Sequence, residues 1–535
     1  ATAITYSTTT GTDIWGASYE TKSTTTYTII HNRALASVVT SHTTGSNLFG
    51  EIYTTDSTTT YEYHKGLGPH GVLGELMRAY TDSTTTGSDI WGASYVTTSH
   101  TEYTMIHNRA LAWKVDATTK GSNLFGESYT TTSRTEYEYY TETSGPNHVL
   151  GELKSAITAS TTQGTDIWGA SYVTISTTTY TTRHNRALAL EVKAHTEGFN
   201  LFGEEYITDS TTTYSYDANG TLTGATGDSK TTGTDLFGGD TVTESHTIYT
   251  IINNRAFASQ VITTASGKNL FGEDISSTGT TTYEYYEGKG PRGTYGELKS
   301  ASGSSVNSGT DIWGGKYVTT STTIYIIIHN RAFAKEVYSV TKGENLFGET
   351  YTTTSTTKYE YYEGLGPNKG VYGELKSATG SSTTTGTDIW GASYETKSTT
   401  DYTIINNRAM ATHVHAETTG SNLFGEKYTT ISDTDYTYEF AESSESAWTH
   451  GKIYKIATAI TYSTTQGTDI WGASYETKST TYYTIIHNRA LPSKVTSTTT
   501  GSNLFGESYT TTSETNYEYY EGKSGPREVL GELKS

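Results

Sequence analysis

Six tryptophans stand beside an aspartate in a recurring D-I-W-G phrase, a combination that could bind sugars. They are Trp15, Trp91, Trp168, Trp313, Trp390 and Trp471. An aromatic ring can stack on the apolar face of a sugar while the neighbouring carboxylate accepts hydrogen bonds from its hydroxyl groups. Alternatively, each ring fills the wedge between adjacent repeats, because every interface in a regular array needs one. We prefer this structural interpretation.

Seven arginines form a second recurring set, each preceded by His-Asn or Asn-Asn. They are Arg33, Arg109, Arg186, Arg255, Arg331, Arg408 and Arg489. Seven equivalent guanidinium groups could line a channel, or seven pockets for hydroxylated or anionic ligands. Alternatively, each arginine pairs with the glutamate of a neighbouring F-G-E phrase, which satisfies both charges. Those glutamates are Glu51, Glu127, Glu204, Glu273, Glu349, Glu426 and Glu507. We favour the ion pairs.

The same patterns predict no catalytic site, metal or cofactor. Ser, Thr, His and Glu are spread evenly by the repeat, whereas an enzyme needs one asymmetric pocket. Asn253 and Asn406 replace the histidine of the triplet, and asparagine is a poor ligand for metals that prefer imidazole. The G-x-G fragments at Gly66 and Gly364 lie in hairpin-like loops, which does not favour phosphate binding.

Spacing shows how these residues are organised. D-I-W-G and N-L-F-G phrases alternate fourteen times, with Phe237 in one expected Trp position. Such self-similarity predicts an array of about 38-residue modules that fold only together. The paired repeats are approximately 11–86, 87–163, 164–232, 233–308, 309–385, 386–466 and 467–535, with 1–10 completing the last. We therefore expect one closed repeat domain over 1–535.

Thr, Tyr, Ile and Val runs between Gly, Asn and Asp turns predict three or four short antiparallel strands per module and no helix. Residues 1–10 closely match 457–466, so the amino end supplies a segment that the last repeat lacks. This complementarity favours ring closure. The prediction is an all-β closed propeller of fourteen blades with sevenfold pseudo-symmetry, or alternatively of seven large blades.

Composition limits the partners. A net charge of −20 and a pI near 5.2 argue against nucleic acid and anionic membrane surfaces, and no apolar run is long enough to span a membrane. Zero cysteine excludes disulfides. Asn219 begins one N-glycosylation sequon, compatible with secretion. Because the chain opens on Ala1 inside a repeat, we expect a processed or incomplete form.

The stretch Asp13-Ile14-Trp15-Gly16, followed by the apolar-aromatic run 27–30, resembles the tectonin-type repeat of lectin-like propellers. This resemblance touches every Trp-type module and, more weakly, the Phe-type modules. It implies a propeller fold and, in many relatives, carbohydrate recognition. We therefore expect a secreted, non-enzymatic, multivalent lectin-like protein for glycans or similar hydroxylated ligands. A structural, storage or matrix protein is the alternative. A carrier of an apolar small molecule or pigment in aromatic clefts between blades is a further one.

Overall fold

A computed structural model shows the fold. It describes the chain except for residues 1–2, 13–17, 47–50, 89–92, 124–125, 143–144, 147, 166–168, 201–203, 235–238, 269–272, 311–313, 346, 368–370, 442–452, 487–488, 504 and 521–532. Four of the candidate tryptophans lie outside the described residues, namely Trp15, Trp91, Trp168 and Trp313.

The described residues form 28 strands and no helix. The first fourteen are β1 (Ala3–Thr12), β2 (Ser18–Ile30), β3 (Arg33–Ser46), β4 (Ile52–Tyr63), β5 (Leu76–Ser88), β6 (Ser94–Ile106), β7 (Arg109–Ser122), β8 (Ser128–Tyr139), β9 (Leu153–Thr165), β10 (Ser171–Arg183), β11 (Arg186–Phe199), β12 (Glu205–Tyr216), β13 (Leu222–Thr234) and β14 (Asp240–Ile252). The others are β15 (Arg255–Lys268), β16 (Asp274–Tyr285), β17 (Leu298–Thr310), β18 (Lys316–Ile328), β19 (Arg331–Glu344), β20 (Thr350–Tyr361), β21 (Leu375–Thr387), β22 (Ser393–Ile405), β23 (Arg408–Ser421), β24 (Lys427–Ala441), β25 (Ile453–Thr468), β26 (Ser474–Ile486), β27 (Arg489–Ser502) and β28 (Ser508–Asn516).

The strands are longer and fewer than the sequence predicts. Fourteen phrases share 28 strands, so each module holds two strands, most of them 12–14 residues long, instead of three or four short ones. The Thr-rich stretches lie within these strands. Threonine is β-branched and fits a pleated surface, so a run of threonines extends a strand rather than ending it.

All 28 strands belong to one antiparallel sheet, in which each strand pairs with those before and after it in the chain. The all-β class and the repeated-strand architecture are thus confirmed, and the closed fourteen-blade propeller is not. A propeller has a separate small sheet in each blade. Here the ladder continues across module boundaries, as in the pairing of β5 with β6 and of β3 with β4.

A row of small residues crosses the middle of the sheet, and its side chains define what we call the serine face. In most strands the residue is serine, as in the opposed pairs Ser41–Ser57 and Ser83–Ser99, whose Oγ atoms are 2.7 Å apart in both cases. Threonine rows flank it, with Oγ1 atoms 2.8 Å apart in Thr319–Thr341. These cross-strand contacts hold neighbouring strands in register.

At one end of the strands, tyrosine rings of the serine face cover glycines of the neighbouring strand. A Cβ atom built at Gly343 would lie 2.3 Å from Cζ of Tyr351. The same arrangement recurs at Gly45 under Tyr53 and at Gly386 under Tyr394. Glycine is therefore required here because the aromatic ring occupies the space of a side chain.

Within the described residues, no second layer of structure covers either face of the sheet. The accessible surface is 29512 Å², whereas a compact 58.1 kDa protein would expose roughly 19,000 Å². Buried apolar side chains are few and cluster where β5, β9, β13, β17 and β21 begin, for example at Leu76 and Ala79. The fold therefore depends on strand pairing and on small local cores, not on one large core.

Each long repeat also contains a tyrosine that satisfies a carbonyl at a β-bulge. The register shifts between Ile324 and Tyr325 opposite β19, and Tyr361 Oη donates to the Ala334 carbonyl at 2.9 Å beside this bulge. Equivalent bonds reach the carbonyls of Ala36, Ala112, Ala189, Ala258, Ala411 and Pro492. Burial raises the pKa of Tyr361 to about 12, so the donor stays protonated at physiological pH.

Replacing Tyr361 with phenylalanine should destabilise this bulge by about 1–3 kcal/mol, because the Ala334 carbonyl loses its partner. Hydrogen exchange of peptides covering β19 and β20 measures the effect locally. Tyr338 is 48% exposed and provides the control, since Tyr338→Phe should leave exchange unchanged. Equal protection in the two variants would show that the hydroxyl contributes nothing.

Candidate functional site

The fourteen phrases follow odd-numbered strands in the chain. Those that the structure describes form hairpin loops along one side of the sheet, which we call the aromatic edge. In the Trp form, Asp388 Oδ1 accepts the N–H groups of Trp390 at 2.9 Å and Ala392 at 2.8 Å. Gly391 follows with φ 94°, a conformation that suits glycine. In the Phe form, Asn422 Oδ1 accepts the N–H groups of Phe424 and Glu426. The phrase is therefore a turn signal.

The loop tips expose their large apolar side chains. The described aromatic ones are Phe347 (74% exposed), Trp390 (66%), Phe424 (71%), Trp471 (67%) and Phe505 (86%). The preferred interpretation of the tryptophans as buried wedges is wrong for Trp390 and Trp471. Wedges need separate blades to divide, and one continuous sheet provides none. A row of exposed apolar side chains is typical of an interaction surface.

Loops that follow even-numbered strands form the opposite side, the arginine edge. Half of them are two-residue hairpins with positive φ at both central residues, as at His329 (46°) and Asn330 (63°). Asparagine and histidine tolerate this conformation better than most residues, as type I′ turns require. This explains why Asn253 and Asn406 can replace the histidine. The His-Asn and Asn-Asn pairs are turn residues, which the sequence analysis did not recognise.

In five of these hairpins the second turn residue also anchors the hairpin to the strand beside it. Asn330 Oδ1 accepts the N–H of Leu298 at 2.5 Å. The same bond joins Asn108 to Leu76, Asn185 to Leu153, Asn254 to Leu222 and Asn407 to Leu375. Asparagine is thus favoured at this position for two reasons: it tolerates the positive φ, and its side-chain oxygen accepts the hydrogen bond.

Longer loops between the hairpins contain a buried glutamate that the sequence analysis did not single out. Glu297 is 4% exposed and accepts the N–H groups of Arg292 and Thr294 and the Thr294 hydroxyl. Glu75 accepts from His70, and this hydrogen bond lowers the pKa of the carboxyl. The recurring G-E-L sequence could have indicated this glutamate. A charged residue between a glycine and a core leucine suggests a buried carboxylate that accepts hydrogen bonds from its own loop.

The seven candidate arginines each begin a strand at the arginine edge, directly after a hairpin. Arg255 and Arg331 also lie over the rings of Phe257 (5.9 Å) and Phe333 (5.7 Å). The candidate glutamates end the Phe-form loops at the aromatic edge. Five of them accept a hydrogen bond from the side-chain amide of the asparagine in their own loop: Glu127, Glu204, Glu349, Glu426 and Glu507.

Two arginine–glutamate pairs occur among the described residues, but not between neighbouring modules. Arg255 Nη1 lies 3.8 Å from Glu51 Oε1, and Arg489 Nη1 lies 3.7 Å from Glu273 Oε1. In each pair, the arginine begins a strand and the glutamate lies in the loop after the strand twelve positions earlier in the sheet. Arg255 begins β15 and Glu51 follows β3, whereas Arg489 begins β27 and Glu273 follows β15. Their arginine side chains are nearly half exposed, so each pair contributes only about 0–1 kcal/mol.

These contacts require the sheet to coil. Twelve strands at about 4.8 Å spacing span about 58 Å in a flat sheet, yet the pairs come within 4 Å. Moreover, Arg255 belongs to the arginine edge and Glu51 to the aromatic edge. Opposite edges therefore meet, so the sheet advances by its own width with every twelve strands. This coiling places the aromatic edge of one turn against the arginine edge of the next.

The face opposite the serine face bears most of the charged side chains and is called the charged face. Cross-strand His–Asp pairs recur on it, with Nδ1–Oδ1 distances of 2.7–2.8 Å, as in His195–Asp209 and His413–Asp435. The hydrogen bond to the aspartate is the main cause that raises the pKa of His195 and of His413. A shallow groove of about 1070 Å³ crosses β3–β10 and is lined partly by His100 and Arg134.

We expect the His–Asp pairs to make stability depend on pH. Because folding raises the histidine pKa, their contribution is fully present below the unfolded value, about 6.5, and is lost as pH rises through the folded value. The double variant His195→Asn, His413→Asn should therefore lower Tm more at pH 5.5 than at pH 8.5. Equal losses at the two pH values would contradict this prediction.

Several negative findings concern the described part of the chain alone. No group of three or more His, Asp or Glu side chains is placed there to hold a metal ion. In the same residues no helix is long and apolar enough to cross a membrane. Asn219 lies exposed in the β12–β13 loop, where its N–H donates to Asp217. Its side chain is therefore accessible for glycosylation.

No protein-family model matches this chain, and neither does any curated protein. The likeness to tectonin repeats therefore stays a prediction. What the chain does must be argued from its own surfaces.

Proposed function

We propose that this chain is a non-enzymatic structural protein that assembles into extracellular β-sheet material. The observation that carries the proposal is the single-layer sheet, whose surface of 29512 Å² is about one and a half times that of a compact protein of its mass. A binding domain usually buries most of its apolar side chains in a core that supports one pocket. This sheet instead repeats one surface over 28 strands.

The local chemistry supports a structural role. Rows of hydroxyl groups on the serine face form hydrogen bonds between neighbouring strands. The buried glutamates of the longer loops and the tyrosines at the β-bulges recur with the repeat. Such repetition adds stability with every copy. We keep secretion as part of the proposal, because the sequon at Asn219 is exposed.

Concentration-dependent assembly tests this function. The purified chain should form elongated particles in negative-stain electron microscopy, and its sedimentation coefficient should rise with concentration. A chain that stays monomeric at every concentration up to the millimolar range contradicts the structural proposal.

Glycan binding is a second candidate, favoured by the exposure of Trp390 and Trp471 at 66% and 67%. Each stands two residues after an aspartate, although the Asp388 and Asp469 side chains accept hydrogen bonds from their own loops. If these rings stack on sugars, the double variant Trp390→Ala, Trp471→Ala should lose at least half of the signal on a glycan array. Phe347→Ala with Phe505→Ala is the matched control. Absence of any glycan signal for the unaltered chain contradicts this candidate.

A further inference from the structure

The two faces of the sheet differ in charge. In the described strands, no Asp, Glu, Lys, Arg or His occupies the serine face between the aromatic edge and the β-bulges. Strand β12 is typical, because its serine face carries Tyr206, Thr208, Ser210 and Thr212. Asp209 of the same strand points to the charged face, where it pairs with a histidine. The serine face is therefore a neutral surface of hydroxyl groups and aromatic rings.

The serine face is also the inner face of the coil. In β12 its side chains are half-buried, whereas most of those on the charged face are exposed, including Ile207 at 42%. Burial also raises the pKa of Tyr206 and of Tyr214. Because no second layer covers either face within the described residues, curvature accounts for this difference. Side chains converge on the concave side of a sheet and diverge on its convex side.

The coil is wider than its inner side chains can fill. Strands such as β10 have 13 residues and are about 43 Å long, and twelve strands span about 58 Å. Opposite edges meet at the twelve-strand offset, so the circumference combines these lengths at right angles and is about 72 Å. The diameter is then about 23 Å between backbones, whereas two packed sheets are only about 10 Å apart. Serine and threonine side chains therefore leave a channel open.

Tyrosine rings present one face to this channel. A Cβ atom built at Gly164 would lie 2.3 Å from Cε1 and Cζ of Tyr172 and 2.5 Å from its Oη. These nearly equal distances place the glycine under the face of the ring, so the other face points into the channel. Tyr206 covers Gly198 in the same way. Such rings recur on most even-numbered strands, about 9.6 Å apart along the sheet, and flat aromatic faces are surfaces on which sugar rings stack.

Rows of hydroxyl groups lie beside the rings. The Oγ1 atoms of Thr174 and Thr196 are 2.8 Å apart, as are those of Thr208 and Thr231. In such a pair one O–H donates to the other oxygen, so the pair still offers one donor and several acceptor positions to a guest. A sugar hydroxyl group both donates and accepts hydrogen bonds, and it therefore matches these pairs.

We propose that the inner face of the coil binds a neutral polysaccharide with flat sugar rings, namely a β-1,4-linked glucan that lies along the channel. Many weak stacking contacts and hydrogen bonds along one rigid surface add up to useful affinity. This binding site goes beyond the structural function, because it requires the coil but no assembly. It is also separate from the loop tryptophans of the second candidate function.

Charge selects the guest. An ion that entered the channel would leave water without meeting a counter-charge, which is unfavourable. The net charge of −20 also repels acidic polysaccharides. Neither cost applies to a neutral glucan, whose hydroxyl groups exchange water for the threonine and serine hydroxyl groups of the channel.

Thiol protection locates the guest, because the chain has no cysteine of its own. Ser210→Cys places a thiol on the inner face, and Ile207→Cys is the matched control on the outer face of the same strand. The probe is cellohexaose, a neutral β-1,4-linked glucan, whose Kd for the unaltered chain is measured by calorimetry. At about four times this Kd it should slow the reaction of the Ser210→Cys thiol with a maleimide about fivefold. The reaction of the Ile207→Cys thiol should be unchanged.

Two further results are expected. Hexagalacturonate, an acidic oligosaccharide of the same length, should give no protection. Adding Trp390→Ala and Trp471→Ala to the Ser210→Cys variant should keep the protection by cellohexaose. The inference is overturned by calorimetry that shows no binding to the unaltered chain, or by binding that leaves the Ser210→Cys thiol as reactive as before. Equal protection on both faces, equal protection by the acidic sugar, or loss of protection in the tryptophan variant overturns it as well.

Discussion

Replacing Asn330 with valine is expected to lower the local free energy of unfolding by about 2–5 kcal/mol. Two causes add. The residue has φ 63°, which a β-branched side chain adopts only under strain. The substitution also removes the acceptor of the Leu298 N–H, and Leu298 is only 8% exposed. Hydrogen exchange of peptides covering β17–β19 would measure the loss, since arrays open locally.

His329→Asn is the matched control at the neighbouring turn position. Asparagine occupies that position naturally at Asn253 and Asn406, with φ 47° and 48°. Asparagine keeps the turn conformation but loses the contacts of His329 with Arg292 and with the Tyr372 ring, so we expect a loss of only about 1 kcal/mol. If Asn330→Val were as harmless as this control, the hairpins could not depend on their left-handed turn residues.

Replacing Gly343 with alanine is expected to cost about 1–3 kcal/mol, because the added methyl group would overlap the ring of Tyr351. The new Cβ would lie 2.3 Å from Cζ and 2.4 Å from Oη of that ring. The ring must then leave the place where it covers the glycine. Urea denaturation and hydrogen exchange of β19–β20 would show the loss.

Gly364→Ala provides the control for the glycine change. A Cβ at Gly364 meets nothing within 4 Å, and its φ is not positive. This variant should therefore be neutral or slightly stabilising, because alanine restricts the unfolded chain. Equal losses at the two sites would show that the tyrosine cover is not the reason for the glycine.

The sequence predicts the local elements of this fold better than their assembly. Threonine runs and Gly, Asn and Asp turns correctly indicate an all-β array. However, the same alternation suits separate blades and one continuous meander, since both use antiparallel hairpins. The two folds differ in whether strands pair across a module boundary, as β3 does with β4 and β5 does with β6. No residue type marks that pairing.

The candidate site shows the same limit. The period of the arginine and glutamate sets suggests that the two could pair, and Arg255–Glu51 and Arg489–Glu273 do so. The partners are three long repeats apart, because the coil, not the chain order, decides which edges meet. The exposure of Trp390 and Trp471 was unpredictable for a related reason. A tryptophan side chain in a hairpin loop is covered or exposed, depending on whether the neighbouring part of the coiled sheet packs against it.

The coil itself is the central claim, and one distance tests it. The distance between spin labels attached to cysteines in the Glu51→Cys, Arg255→Cys variant can be measured by double electron–electron resonance. Among the contacts that these substitutions remove are the weak, exposed ion pair and the contact of Arg255 with the Phe257 ring. A coiled sheet predicts a label separation below about 25 Å. A sheet that does not return on itself would place the labels roughly 50 Å apart or more, and such a distance would contradict the coil.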